Sequence, residues 1–219
     1  MPPTAPGSRP AADRARHAVG WVFAVSGLTF ASWASRLPAV RDGLGLSPGE
    51  LGMVIFALSL GAVIALPLSG AVVHRLGPAA AVRLTVVVAE VGLAAVGLAG
   101  TVEVLVVGLF TLGVANGIWD VAMNVEGAAV ERLLDRPIMP RFHGWWSLGT
   151  VCGAGLGAAA AALGLPVREH LVALAGVNLL AGLAAVTAFL PPAVHRVAAG
   201  EPAPPLPGTG SAVPGQPPA

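Results

Sequence analysis

The 219-residue chain has no tyrosine, no lysine and one cysteine, and only 11% of its residues are charged. A lone thiol excludes an internal disulfide framework, and Cys152, set in a Gly/Ala-rich run, reads as a small packed thiol. A net charge of +1 offers no argument for nucleic acid, which is not expected as a partner, and neither a metal nor a cofactor is expected. What fills the chain is apolar: 55% of residues are hydrophobic and the mean hydropathy is +0.79. A water-soluble domain of this length could not cover that much apolar surface.

Six apolar stretches, at about 19–37, 50–73, 79–99, 103–125, 143–164 and 170–190, each reach the roughly 20 residues that cross a bilayer. They lack the alternation of a barrel strand, so the expectation is an all-α membrane protein with six transmembrane helices and the lipid bilayer as its first partner. The twelve basic residues are all Arg. Arg9, Arg14, Arg16, Arg75, Arg83, Arg132, Arg136, Arg141 and Arg196 fall on the side of the N-terminus, and only Arg36, Arg41 and Arg168 on the other. The positive-inside rule then predicts an N-in, C-in topology. Arg14, Arg16 and the small residues Ser32 and Ala34 loosely imitate a secretory signal, but the apolar run is long for a signal core and five more follow.

Three segments result: a disordered N-terminus over 1–18, a six-helix transmembrane domain over 19–190, and a disordered Pro-rich cytoplasmic tail over 191–219. Ser47, Pro48 and Glu50 form a helix start that opens the second span. His74 to Pro78 is a tight turn. Glu126 to Arg141, with Glu131, Arg132, Asp135 and Arg136, reads as a cytoplasmic loop carrying a solvated surface helix ended by Pro137 and Pro140. Shifting the chain by 88 residues lays Ser59, Leu60, Gly61 and Val63 on Ser147, Leu148, Gly149 and Val151. An odd number of spans separates the copies, so the pattern predicts two inverted three-helix repeats.

Polar residues inside the spans are the candidate functional set. Asn116, Asp120 and Asn124 recur at four-residue intervals and share one helix face, which must turn to a bundle interior or a water-filled cavity. Asp120 is a candidate for a coupling proton, a cation or a solute contact; its structural alternative is a pair with Arg75 or Arg141. Glu90 stands among Val, Leu, Ala and Gly in mid-span, where desolvation favours a neutral acid, as in a proton carrier or a hydrogen-bonded structural acid. Ser26, Thr29, Trp33 and Arg36 form a stripe ending in a guanidinium, able to bind an anionic or hydroxylated ligand, to reach headgroups, or to pair with Asp42. His143 shares a face with Ser147 and is a ligand or proton contact or a packed helix-start histidine; Trp145 and Trp146 read as interfacial anchors. Gly149, Gly153 and Gly157 permit close helix approach.

Gly70, His74, Arg75 and Gly77 lie in a turn that resembles the cytoplasmic loop motif of the major facilitator superfamily, G-x-x-x-D-[RK]-x-G-[RK]-[RK], with His74 in the acidic position and Pro78 and Ala79 in place of the basic pair. The stretches Phe30 to Pro38, Asp120 to Asn124, Arg136 to His143 and Ser147 to Gly149 resemble a bacterial permease branch of that superfamily, distantly similar to fucose-type sugar permeases. The resemblance covers about residues 18 to 192, the N-terminal six-helix half of a twelve-helix carrier. It implies a secondary active transporter in a bacterial inner membrane that moves a small polar solute by alternating access; proton coupling through Asp120 or Glu90 is suggested by the buried acids and not by the resemblance. The resemblance also implies a homodimer or a complementary six-helix half. The alternatives are a non-transporting six-helix scaffold or an inactive truncated half. Ser147 and His143 are neighbours on one helix with no acid or oxyanion device, so a hydrolase is not supported and no enzymatic activity is expected.

Overall fold

The computed structural model describes residues 8–198, and within them every regular element is helical. In chain order these are α1 (Ser8–Leu44), α2 (Pro48–Leu76), α3 (Pro78–Gly97), α4 (Val102–Leu134), α5 (Met139–Ala162), α6 (Val167–Val186) and the short α7 (Pro192–Ala198). Five of them, α1, α2, α3, α4 and α6, are long and apolar enough to cross a membrane. The sixth expected span, α5, has 24 helical residues, a length of roughly 36 Å, but its Gly, Trp and His residues dilute its hydropathy.

Local chemistry places the helix ends. Ser47 and Glu50 make the predicted capping box, Ser47 N donating to Glu50 Oε2 at 2.9 Å and Glu50 N to Ser47 Oγ at 3.3 Å. Gly77, at φ 77°, closes α2 and hands the chain to Pro78 at the start of α3; a side chain at that φ would be strained. The Thr101 hydroxyl caps α4. At the start of α5, Ile138 has no capping side chain, and Glu131 of α4 serves instead, accepting from Ile138 N and Met139 N at 2.7 Å each.

Three expectations about the ends of the bundle are corrected. Residues 8–18, expected to lack structure, form the first turns of α1, and Ala12 and Ala15 are fully buried. Small side chains let those turns pack, which a hydropathy window does not register. Glu126 to Arg141 is not a solvated loop: α4 runs on to Leu134, Glu126 is fully buried, and Pro140 lies in the first turn of α5 rather than ending a surface helix. Residues 192–198 of the expected tail form α7; residues 1–7 and 199–219 of the two terminal expectations lie outside the described residues.

The core sits among α1, α3, α4 and α6, where Phe23, Leu93, Leu105, Leu109, Leu112, Trp119, Met123 and Leu171 are at most 2% exposed. Inside a bilayer apolar burial does not drive helices together, so close packing and small residues must. α2 lies along α4 and α5 along α1; α3 packs on α4 and α6, and α6 on α1. The glycines make the two long contacts possible. A Cβ on Gly113 would strike the Leu58 carbonyl and one on Gly61 the Phe110 carbonyl; likewise one on Gly27 would strike the Trp146 carbonyl and one on Gly149 the Ala24 carbonyl. Gly61 and Leu58 lie 88 residues before Gly149 and Trp146, and Ala24 and Gly27 lie 86 before Phe110 and Gly113, so equivalent backbone atoms touch in both halves of the bundle.

Candidate functional site

Because α2 and α5 each use one edge to grip α4 and α1, the α4 face between them is left open. Asp120 is exposed there, with Asn116 and Asn124 half-buried on the turns before and after it. Asn124 Nδ2 donates to Asp120 O at 2.8 Å and to Asp120 Oδ1 at 3.2 Å, which holds the carboxylate against its own helix. The opposite group is His143 of α5, exposed, within electrostatic reach of Asp120, and held edge-on to Phe23 with ring centroids 5.3 Å apart. Ser147 follows on the same face, its hydroxyl donating to His143 O at 3.1 Å. Neither Arg75 nor Arg141 pairs with Asp120. Cys152, expected to be packed, is exposed as well, because α5 turns its glycines and not its thiol toward α1.

Glu90 is placed differently. It is 2% exposed in a junction of three helices, with Thr29 Oγ1 of α1 2.7 Å from its Oε1 and Asn178 Nδ2 of α6 donating to Thr29 Oγ1 at 3.0 Å. Thr29 Oγ1 also lies 2.9 Å from Val25 O. One hydroxyl proton cannot serve both oxygens, so the three contacts are satisfied together when Glu90 carries a proton and donates it to Thr29. The apolar surroundings expected from α3 alone are thus completed by a threonine and an asparagine from other helices. Asn178 carried no signal in the sequence, where it is one amide in an apolar run.

Arg36 neither reaches Asp42 nor lies at an exposed rim. Asp42 is taken by Arg41, at 2.6 and 2.8 Å, while Arg36 is 4% exposed and directs its amines at Leu165 O, at 2.5 Å, and Gly157 O, at 3.5 Å. Trp33, one turn earlier, is 5% exposed and stacks edge-on with Phe30 at 5.8 Å. The Ser26, Thr29, Trp33 and Arg36 stripe therefore faces inward over its whole length and splits between two helix junctions.

At the opposite end of the bundle, the loop-motif residues stand at the α2–α3 turn. His74 and Arg75 are exposed, and His74 and Gly77 border a cleft of about 490 Å³ with Arg83, Pro192 and His195. Beneath it Glu126 Oε1 accepts from Leu190 N at 2.7 Å, and its Oε2 is 3.7 Å from His195 Nε2. This carboxylate ties the elbow after α6 to α4. Sequence reasoning placed Glu126 in a loop and missed it, since a buried acid at a span end looks like the first residue of a polar connection.

No protein-family model matches the chain. It is 36% identical over 148 residues to the uncharacterized transporter y4wD of Sinorhizobium fredii, covering 68% of this chain and 39% of that protein. An uncharacterized MFS-type transporter of Yersinia pestis is 34% identical over 133 residues, 61% of this chain and 35% of its own length. Membrane protein MosC of Rhizobium meliloti is 28% identical over 192 residues, 84% of this chain and 46% of its own. The chain thus spans less than half the length of the relatives it matches. The apolar helices and these bacterial relatives together identify an integral membrane protein related to MFS-type transporters.

Proposed function

We propose that the chain is one six-span unit of a secondary transporter of the major facilitator type, and that its solute path runs along the open face of α4 and α5. The observation that carries this reading is the convergence of Asn116, Asp120 and Asn124 with His143 and Ser147 on one exposed side of an apolar bundle. A carboxylate there is costly against hydrocarbon, by about 3 kcal/mol on the lower scales, and is accommodated where the face meets water, a solute or another helical unit. A second six-helix unit, a copy of this chain or a complementary half, is the cover that reading requires, with the path between the units.

The paired contacts of α2 on α4 and α5 on α1 support two inverted three-helix repeats with α5 as the sixth span. The arginine distribution supports an N-in, C-in orientation in a bacterial inner membrane. Of the two acids, Asp120 is the coupling candidate: it is exposed on the path with an imidazole opposite, whereas Glu90 is enclosed and hydrogen-bonded to Thr29. The solute class is small and polar, matched to amide, carboxylate and imidazole groups, and the distant likeness to fucose-type sugar permeases is compatible with it.

The test uses proteoliposomes containing the full chain and a pH-sensitive dye in the lumen, with candidate polar solutes added against an imposed pH gradient. The wild type is expected to couple solute entry to proton movement. Asp120→Asn keeps shape and hydrogen bonding but takes up no proton, so gradient-driven uptake should vanish while exchange between equal pools survives. Normal gradient-driven uptake in a well-folded Asp120→Asn variant would refute the coupling role.

A further inference from the structure

We infer that Arg36 and His170 form a binding site for a small inorganic anion of chloride size, buried at the α5–α6 end of the bundle and separate from the α4–α5 face. Arg36 (4% exposed) comes from α1 and His170 (8% exposed) from α6, and both meet α5 at Gly157: Arg36 donates to the Gly157 carbonyl, and a Cβ on Gly157 would lie 3.7 Å from His170 Cε1. The groups left over are mainly donors. Arg36 Nε and both ring nitrogens of His170 are buried without a hydrogen-bond partner among the described residues, and so is Trp33 Nε1 one turn below. No carboxylate among the described residues pairs with Arg36; Asp42 is committed to Arg41, and Glu169 points to the exposed side of α6.

Two backbone carbonyls supply partial charge, but a buried guanidinium held by partial charges alone remains uncompensated, and a full negative charge is the ligand that completes it. The donor set of guanidinium and imidazole suits an anion and offers little to a cation. Size follows from the packing. A Cβ on Gly157 would already strike the Ser35 side chain, so the packing there is tight and excludes a ligand as large as an organic acid. The α5–α6 turn beside it, from Leu163 to Pro166, is exposed and provides the approach.

The probe is chloride itself. The full chain is placed in phosphatidylcholine nanodiscs, and its thermal unfolding is followed in sodium chloride and in sodium gluconate at equal ionic strength. Chloride is expected to raise the midpoint saturably, by roughly 3 °C or more at the highest concentration. In His170→Ala the chloride concentration giving half the shift should rise at least tenfold, and in Arg36→Gln the shift should disappear; if Arg36→Gln does not fold, His170→Ala decides. Equal midpoints in chloride and gluconate, or an unchanged chloride response in His170→Ala, would overturn the site. A chloride-independent shift produced by phosphatidylglycerol and lost in His170→Ala would also overturn it, by assigning these donors to a lipid phosphate.

Discussion

Gly153 and Gly155 are two residues apart on α5, and the bundle treats them oppositely. A Cβ at Gly153 would sit 2.6 Å from the Leu28 carbonyl oxygen and 3.1 Å from Ala31 Cβ of α1, whereas one at Gly155 meets nothing within 4 Å. Ordinary contact begins near 3.4 Å, so Gly153→Ala obliges α5 to withdraw from α1 by about 0.8 Å along a contact that also includes Gly27 and Gly149. Both alanines gain the same helix propensity, about 1 kcal/mol. The difference between the variants therefore isolates the clash. Overpacking against backbone of this kind costs about 1–3 kcal/mol, so Gly153→Ala should be less stable than Gly155→Ala by that amount. Reversible unfolding in mixed micelles, followed by tryptophan fluorescence, measures the difference. Equal stabilities, within about 0.5 kcal/mol, would refute the claim that glycine-mediated backbone contact holds α5 on α1.

Two further outcomes follow from the bundle's ends. Removing the Glu126 carboxylate in Glu126→Ala leaves Leu190 N without its acceptor, at a cost of about 1–3 kcal/mol, and hydrogen exchange at the Leu190 amide should accelerate roughly tenfold or more while the α4 core keeps its protection. If the N-in orientation holds, a cysteine at Gly45 is labelled by an impermeant thiol reagent from outside, and one at Asp135 only after the membrane is opened; the reverse pattern contradicts it.

Much of the fold was legible because the constraint is strong. A backbone in lipid has to be helical or a closed barrel, the chain lacks the alternation of barrel strands, and the apolar runs, the Ser47 box and the Gly77–Pro78 turn located α2 and α3 closely. Hydropathy failed where helices leave the apolar pattern. The first turns of α1 are polar in sequence yet bury Ala12 and Ala15, and α4 continues through Glu126 because that acid finds the Leu190 amide and His195. For the candidate site, the four-residue spacing placed Asn116, Asp120 and Asn124 on one face. Their neighbour His143 was identified as a polar residue but not as their partner, since the pairing of α4 with α5 across the open side depends on which edges the glycines occupy. Arg36 was legible only as a charge out of place. Its partners are backbone carbonyls near the α5–α6 turn, which no residue type announces.

The central claim, a water-lined solute path along α4 and α5, is tested most directly by thiol accessibility in membranes. In a Cys152→Ser background, single cysteines replace Asn116, Asn124 and Ser147 on the open face, and Val87 and Leu180, exposed apolar residues of α3 and α6, serve as lipid-facing references. The full chain is then challenged with a charged, water-borne maleimide in opened membrane vesicles. The account predicts that cysteines at 116, 124 and 147 react readily while those at 87 and 180 stay unmodified. Equal resistance at all five positions would contradict it, because a face that water never reaches cannot carry a polar solute.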